Sequence, residues 1–116
     1  MQEVSSKITY KGKDYKLVFN LNVMERIQEE YGTIGTWGEL TDRKEREPDI
    51  KALIFGVTEM INEGIDIDND ENGTNEPLLT GKKVGRMLTD IGIDTAAAQM
   101  NDLVIESTKD DTGKNV

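Results

Sequence analysis

The chain has 116 residues and a formal charge of −9, and it contains neither cysteine nor histidine. That composition excludes disulfides, thiolate metal sites and imidazole acid–base chemistry. The negative charge repels nucleic-acid phosphates and anionic membrane surfaces alike, so neither is an expected partner.

Leu, Ile, Val and Phe total 28 residues, which is above the content of disordered chains and enough for one modest core. Met1 to Ser6 show no basic region followed by an apolar run, so no signal peptide is expected. No apolar stretch approaches the ~18 residues that read as a membrane span. The expectation is a single domain over 1–108 and a flexible tail over 109–116.

The first element is a β-hairpin over 7–19. Ile8, Tyr10, Tyr15, Leu17 and Phe19 are apolar with polar residues between most of them. A two-residue loop at Gly12-Lys13 puts Gly first, as a type II′ turn requires. That register pairs Tyr10 with Tyr15 and Ile8 with Leu17, both on one face. Val18 and Leu21 break the alternation.

Helices follow. Asn22 reads as the N-cap of a helix over 22–31, with Glu25 at the capping-box position and Gly32 at its end. Val23, Ile27 and Tyr31 form its stripe, with Met24 beside it. Thr33 to Leu40 is Gly-rich and reads as a short helix or a loop pinned by Trp37. The charged run Asp42–Glu47 reads as a solvated connection. Pro48 opens a helix over 48–63, and the spacing of Ile50, Leu53, Ile54, Val57, Met60 and Ile61 is helical. Gly64 reads as its stop, and Gly56 as a point of close backbone approach. An acidic loop at 65–75 leads to a helix over 80–91, with Val84, Met87, Leu88 and Ile91 inward. A last helix over 94–107, capped by Asp94 or Thr95, carries Ala97, Met100, Leu103 and Val104. The fold expected is α+β, mainly α: a hairpin and about four short helices packed as a small bundle.

Chemical motifs are sparse. Asp68-Asn69-Asp70-Glu71-Asn72-Gly73 matches the first half of an EF-hand loop, with Asp68, Asp70 and Asn72 as oxygen ligands for Ca²⁺. The position for the bidentate Glu is Leu79, so a plain Asp/Asn/Gly turn is the favoured reading. The carboxylates at Glu25, Glu29, Glu30, Asp66, Asp68 and Asp70 show no arrangement that would split their pKa values for catalysis. Gly81-Lys82-Lys83 lacks the upstream part of a phosphate loop. No enzymatic activity and no cofactor are expected. Met24, Met60, Met87 and Met100 lie on or beside the helical stripes. They read as core filling, or as an adaptable apolar surface for a partner. Trp37 reads as a core anchor or a binding contact.

One resemblance is carried by the order of elements. A hairpin Ile8-Thr9-Tyr10-Lys11-Gly12-Lys13-Asp14-Tyr15-Lys16-Leu17 runs into Phe19-Asn20-Leu21-Asn22-Val23-Met24-Glu25-Arg26-Ile27. A Trp-bearing turn follows, then Glu47-Pro48-Asp49-Ile50-Lys51-Ala52-Leu53-Ile54, Met60-Ile61-Asn62-Glu63-Gly64 and Lys83-Val84-Gly85-Arg86-Met87-Leu88. Over residues 7–108 this resembles the tail assembly chaperones of siphophages and prophages of low-GC Gram-positive bacteria. The resemblance implies a protein that binds and solubilises the tape measure protein and recruits tail tube subunits. It implies action in the host cytoplasm and absence from the mature virion, and it leaves a homo-oligomer open. The alternatives are a small virion component of the tail tube or head–tail connector, a weak Ca²⁺-binding module, or an acidic nucleic-acid mimic.

Overall fold

The computed structural model describes residues 5–42 and 46–108. The expected tail and the centre of the charged connection lie outside the described residues. In chain order the elements are β1 (Ser5–Tyr10), β2 (Lys13–Val18), α1 (Leu21–Tyr31), α2 (Ile34–Thr41), α3 (Ile50–Asn72), α4 (Gly81–Ile91) and α5 (Ile93–Thr108). The fold is α+β and mainly α, as expected, with five helices in place of about four. The Trp37 segment is the added helix. Its N-cap Thr33 accepts from the Thr36 N–H at 2.9 Å.

α3 is the organising element. It packs against β2 and against each of the other four helices. At 1.5 Å per residue its 23 residues span about 35 Å. The expected stop at Gly64 is a correction: Gly64 is buried inside the helix, which continues to Asn72 and ends on Gly73 in the left-handed region, φ 66°. Asp66, Asp68, Asp70 and Glu71 near the negative end of the helix oppose its dipole. The tertiary structure offsets that: Lys16 Nζ reaches Asp68 at 2.8 Å. The missing Cβ of Gly64 lets the β2 backbone lie on the helix; a Cβ there would sit 2.7 Å from the Lys16 carbonyl oxygen.

The hairpin register also differs. Ile8 faces Tyr15 and Tyr10 faces Lys13. The turn residues are Lys11 and Gly12, with φ 50° and 79°, a pair of positive values typical of a type I′ turn. Each residue's partner moves by two positions, so every side chain keeps its face. Ile8, Tyr15 and Leu17 are buried as expected. The observed register brings Thr9 Oγ1 within 2.6 Å of Asp14 and Lys7 Nζ within 3.3 Å of it. These hydrogen bonds and the Lys7 charge hold the Asp14 carboxyl below its ordinary pKa.

Caps shift for similar reasons. Asn20, not Asn22, caps α1, accepting from the Val23 N–H at 3.2 Å. The amides of both Asn20 and Asn22 donate to Glu63 on α3, at 2.7 and 3.0 Å. α3 starts at Ile50, two residues after the expected opening at Pro48, and Asp49 caps it, accepting from the Ala52 N–H at 2.9 Å. The connection after α3 is held by two asparagines two turns apart. Asn69 bonds Glu76 through both its N–H and its C=O, each at 3.0 Å. Asn62 does the same with Leu79, at 3.0 and 2.8 Å. α5 begins directly after Gly92, whose φ of 104° turns the chain sharply, so neither Asp94 nor Thr95 stands ahead of the helix as a cap.

Trp37 is the centre of the core, 1% exposed. Its indole N–H donates to the Ala52 carbonyl at 3.0 Å. Its ring fills the space above Gly56: a Cβ on Gly56 would overlap Trp37 Cζ2 and lie 3.0 Å from Met100 Sδ. The close approach expected at Gly56 is therefore to an aromatic ring, and backbone contact occurs at Gly64.

A paired substitution tests this packing. Gly56→Ala gains about 1 kcal/mol of helix propensity but forces the indole out, so it should lower stability by about 1–3 kcal/mol net. Gly38→Ala in α2 meets nothing within 4 Å and should raise stability by about 0.5–1 kcal/mol. Urea unfolding of the two variants reads both signs.

Candidate functional site

The residues singled out as partner contacts are mostly core. Trp37, Met60, Met87 and Met100 are buried, and Met24 is half-buried at the core's edge. A stripe of large apolar residues on a helix is covered when a neighbouring helix lies over it, and α3 has neighbours over most of its length. Met60, Met87 and Met100 fill gaps between helices and present no face to a partner in this conformation.

The apolar surface that stays open lies elsewhere. A trough of about 740 Å³ runs between the first turns of α3, the last turns of α4 and the start of α5. Leu53 and Leu88 form its floor and are buried, while Ile54 is half-buried. Ile50 and Ile93 stand on its two sides, 44% and 38% exposed. Gly85 and Gly92 contribute no side chain, so the wall along α4 is low. Thr89 spends its hydroxyl on the Gly85 carbonyl at 2.8 Å and does not add a free polar group there. Among the described residues, the charged ones in its lining are Glu47 and Asp94.

Local sequence explains the opening. Ile50 extends the α3 stripe by one turn past the end of α4. Gly92 then sends α5 off at an angle, so neither helix covers Ile50. Sequence reading placed Ile50 in the core stripe and left Ile93 unassigned. A large apolar residue stranded between Gly92 and Asp94 was the available signal.

Two further depressions differ in character. One, of about 420 Å³, lies between α2 and α5, beside Ile34, Val104 and the 55% exposed Ile105. The other, of about 440 Å³, lies between the hairpin, α3 and the connection to α4. Most of its lining residues are polar or charged, and ion pairs cross it: Lys16 to Asp68 at 2.8 Å and Lys13 to Glu76 at 3.2 Å.

The calcium reading fails on geometry. Asp68, Asp70 and Asn72 converge on an ion only if the backbone coils around it. Here they occupy the last turns of α3. At about 100° per residue Asp70 points away from the side shared by Asp68 and Asn72. Asp68 is bonded to Lys16, and Asn69 is committed to Glu76 and Thr74. Among the described residues no group of three or more acidic side chains is placed to hold a metal ion.

The Tyr31 hydroxyl is pushed up in pKa by burial and then by the charges of Asp49 and Glu30. Its ring meets Phe55 edge-on at 5.6 Å, which is a packing role. Among the described residues no helix is long and apolar enough to cross a membrane.

Calcium should therefore leave the protein unchanged. Calorimetric titration with Ca²⁺ is expected to give no saturable heat, and the thermal midpoint should not move. A saturable heat abolished by Asp70→Asn would show that the end of α3 unwinds to form a site.

No protein-family model, no curated protein and no solved structure matches this chain.

Proposed function

We propose that this protein is a tail assembly chaperone of the siphophage and prophage type. In this reading it binds helical segments of the tape measure protein, keeps them soluble in the host cytoplasm and passes them to tail tube subunits. It performs no reaction and leaves before the virion is complete.

The observation that carries the reading is the open apolar trough flanked by Ile50 and Ile93. A helical client presents an apolar stripe that such a trough can cover. Covering a half-exposed Ile returns about 1 kcal/mol by area, so two such residues and the Leu53–Leu88 floor support reversible capture. The charge of −9 keeps a chaperone–client complex in solution. Reversibility matters, because a carrier must release its cargo to the assembling tube.

Co-expression with the tape measure product of the same operon tests the reading. The wild-type protein should raise the soluble yield of that product and co-purify with it. The double variant Ile50→Glu/Ile93→Glu, still folded by circular dichroism, should lose most of that yield. Failure of the folded wild-type protein to bind a folded client at low salt would sink the proposal. So would its recovery as a stoichiometric part of purified virions.

A further inference from the structure

We propose that Asn72, at the end of α3, is a site of spontaneous hydrolytic modification. It converts to aspartate and isoaspartate through a cyclic imide with the Gly73 nitrogen, at a rate set by how often the last turn of α3 opens.

The reaction asks three things of an asparagine. Water must reach its amide, the side chain must be free to turn onto the main chain, and the next nitrogen must be uncrowded. Asn72 is exposed, and its amide makes no hydrogen bond among the described residues. Glycine follows it, so no side chain stands beside the attacking nitrogen. The other described asparagines lack this combination. Asn20, Asn22, Asn62, Asn69 and Asn101 spend their side chains on hydrogen bonds. Asn75 is exposed, but the N–H that follows it, that of Glu76, is donated to Asn69 at 3.0 Å.

Water is the one co-reactant. The Gly73 nitrogen loses its proton and bonds to Asn72 Cγ, the Cγ–Nδ2 bond breaks, and ammonia leaves. Water then opens the imide. Cleavage at Cγ gives aspartate; cleavage at the main-chain carbonyl gives isoaspartate, with the chain routed through Cβ. Nothing is oxidised or reduced.

The fold gates the first step. Asn72 is the last residue of α3, and the Gly73 N–H is donated to the Asn69 carbonyl. The Thr74 N–H reaches the same carbonyl at 3.1 Å. The imide closes only when this turn leaves helical geometry and frees the Gly73 nitrogen. Opening is favoured by charge: Asp66, Asp68, Asp70 and Glu71 gather at the negative end of the helix, and its last turn holds no basic residue. Lys16 on Asp68 and the bonds of Asn69 to Thr74 and Glu76 oppose it. The product adds a carboxylate at that same end, so a modified turn opens more readily and loosens the connection to α4.

The test ages the full-length protein at mildly alkaline pH beside a free peptide of residues 66–78, with peptide mapping by mass spectrometry. Asn72 should gain the acid mass before any other described asparagine, about tenfold more slowly than in the peptide, where no helix holds Gly73. An isoaspartyl methyl-transfer assay should label the same segment. Asp70→Lys places a cation at the helix end and should slow the folded protein about two- to fivefold while leaving the peptide rate unchanged. Lys16→Glu should quicken the folded protein, and Asn72→Gln should abolish the conversion. Hydrogen exchange over 69–79 should rise in the modified protein.

An intact Asn72 after the peptide has converted would overturn the proposal, as would earlier conversion of another described asparagine. Equal effects of Asp70→Lys on protein and peptide would overturn the helical gate. Unchanged exchange over 69–79 would overturn the loosening of the connection.

Discussion

The Trp37 indole occupies the place where residue 56 would carry its Cβ, and the positions of three helices follow from that contact. The ring bridges α2 to α3 by its N–H on the Ala52 carbonyl. Met100 of α5 meets the same notch. A tryptophan buries roughly 150–250 Å² of surface, worth about 4–6 kcal/mol by area. That is a large share of the ~5–15 kcal/mol by which a domain is stable. Thr41 at the end of α2 and Asn101 in the middle of α5 then close the α2–α5 seam. Any side chain at position 56 pushes α2 and α5 off α3 together.

A second glycine contact sets the other half of the molecule. At Gly64 the β2 backbone lies directly on α3, and the hairpin is held there by Lys16 on Asp68. Gln99 of α5 ties the opposite strand by donating to Ser6 Oγ and to the Lys7 carbonyl. Asn62 and Asn69 then lay the connection to α4 along α3. These attachments fix the hairpin and the connection along the second half of α3, whose turns past Gly64 are half-buried or exposed. The open trough lies at the other end of the helix, beside Ile50, where α4 ends and α5 turns away at Gly92.

Function on this reading separates two roles that one residue type might have shared. The buried methionines serve packing, where an unbranched thioether fills irregular space between crossing helices. Contact with a client falls to β-branched isoleucines at the margin of a trough. Such side chains lose little freedom when covered, because χ1 is already restricted. On the same reading, the net charge of −9 serves to keep a protein with an open apolar surface in solution.

The sequence by itself determined the class of fold, the order of its strong elements, and most of the side chains that face inward. Periods of 2 and 3.6 are properties of the backbone, and they mark the buried face before any partner is known. That is why Ile8, Tyr15, Leu17, Val23, Ile27, Leu53, Val57, Met60, Ile61, Val84, Met87, Leu88, Met100 and Leu103 were legible as core. Tertiary structure decided the rest. A two-residue slip of the hairpin changes no face, so pattern could not choose the register; side-chain bonds around Asp14 favour the one observed. Gly64 reads as a helix stop in isolation and becomes a contact point only when a strand lies against it. Apolar periodicity names a face without saying how far the covering helix reaches. Whether Ile50 was core or surface therefore depended on where α4 ends and at what angle Gly92 sends α5 away.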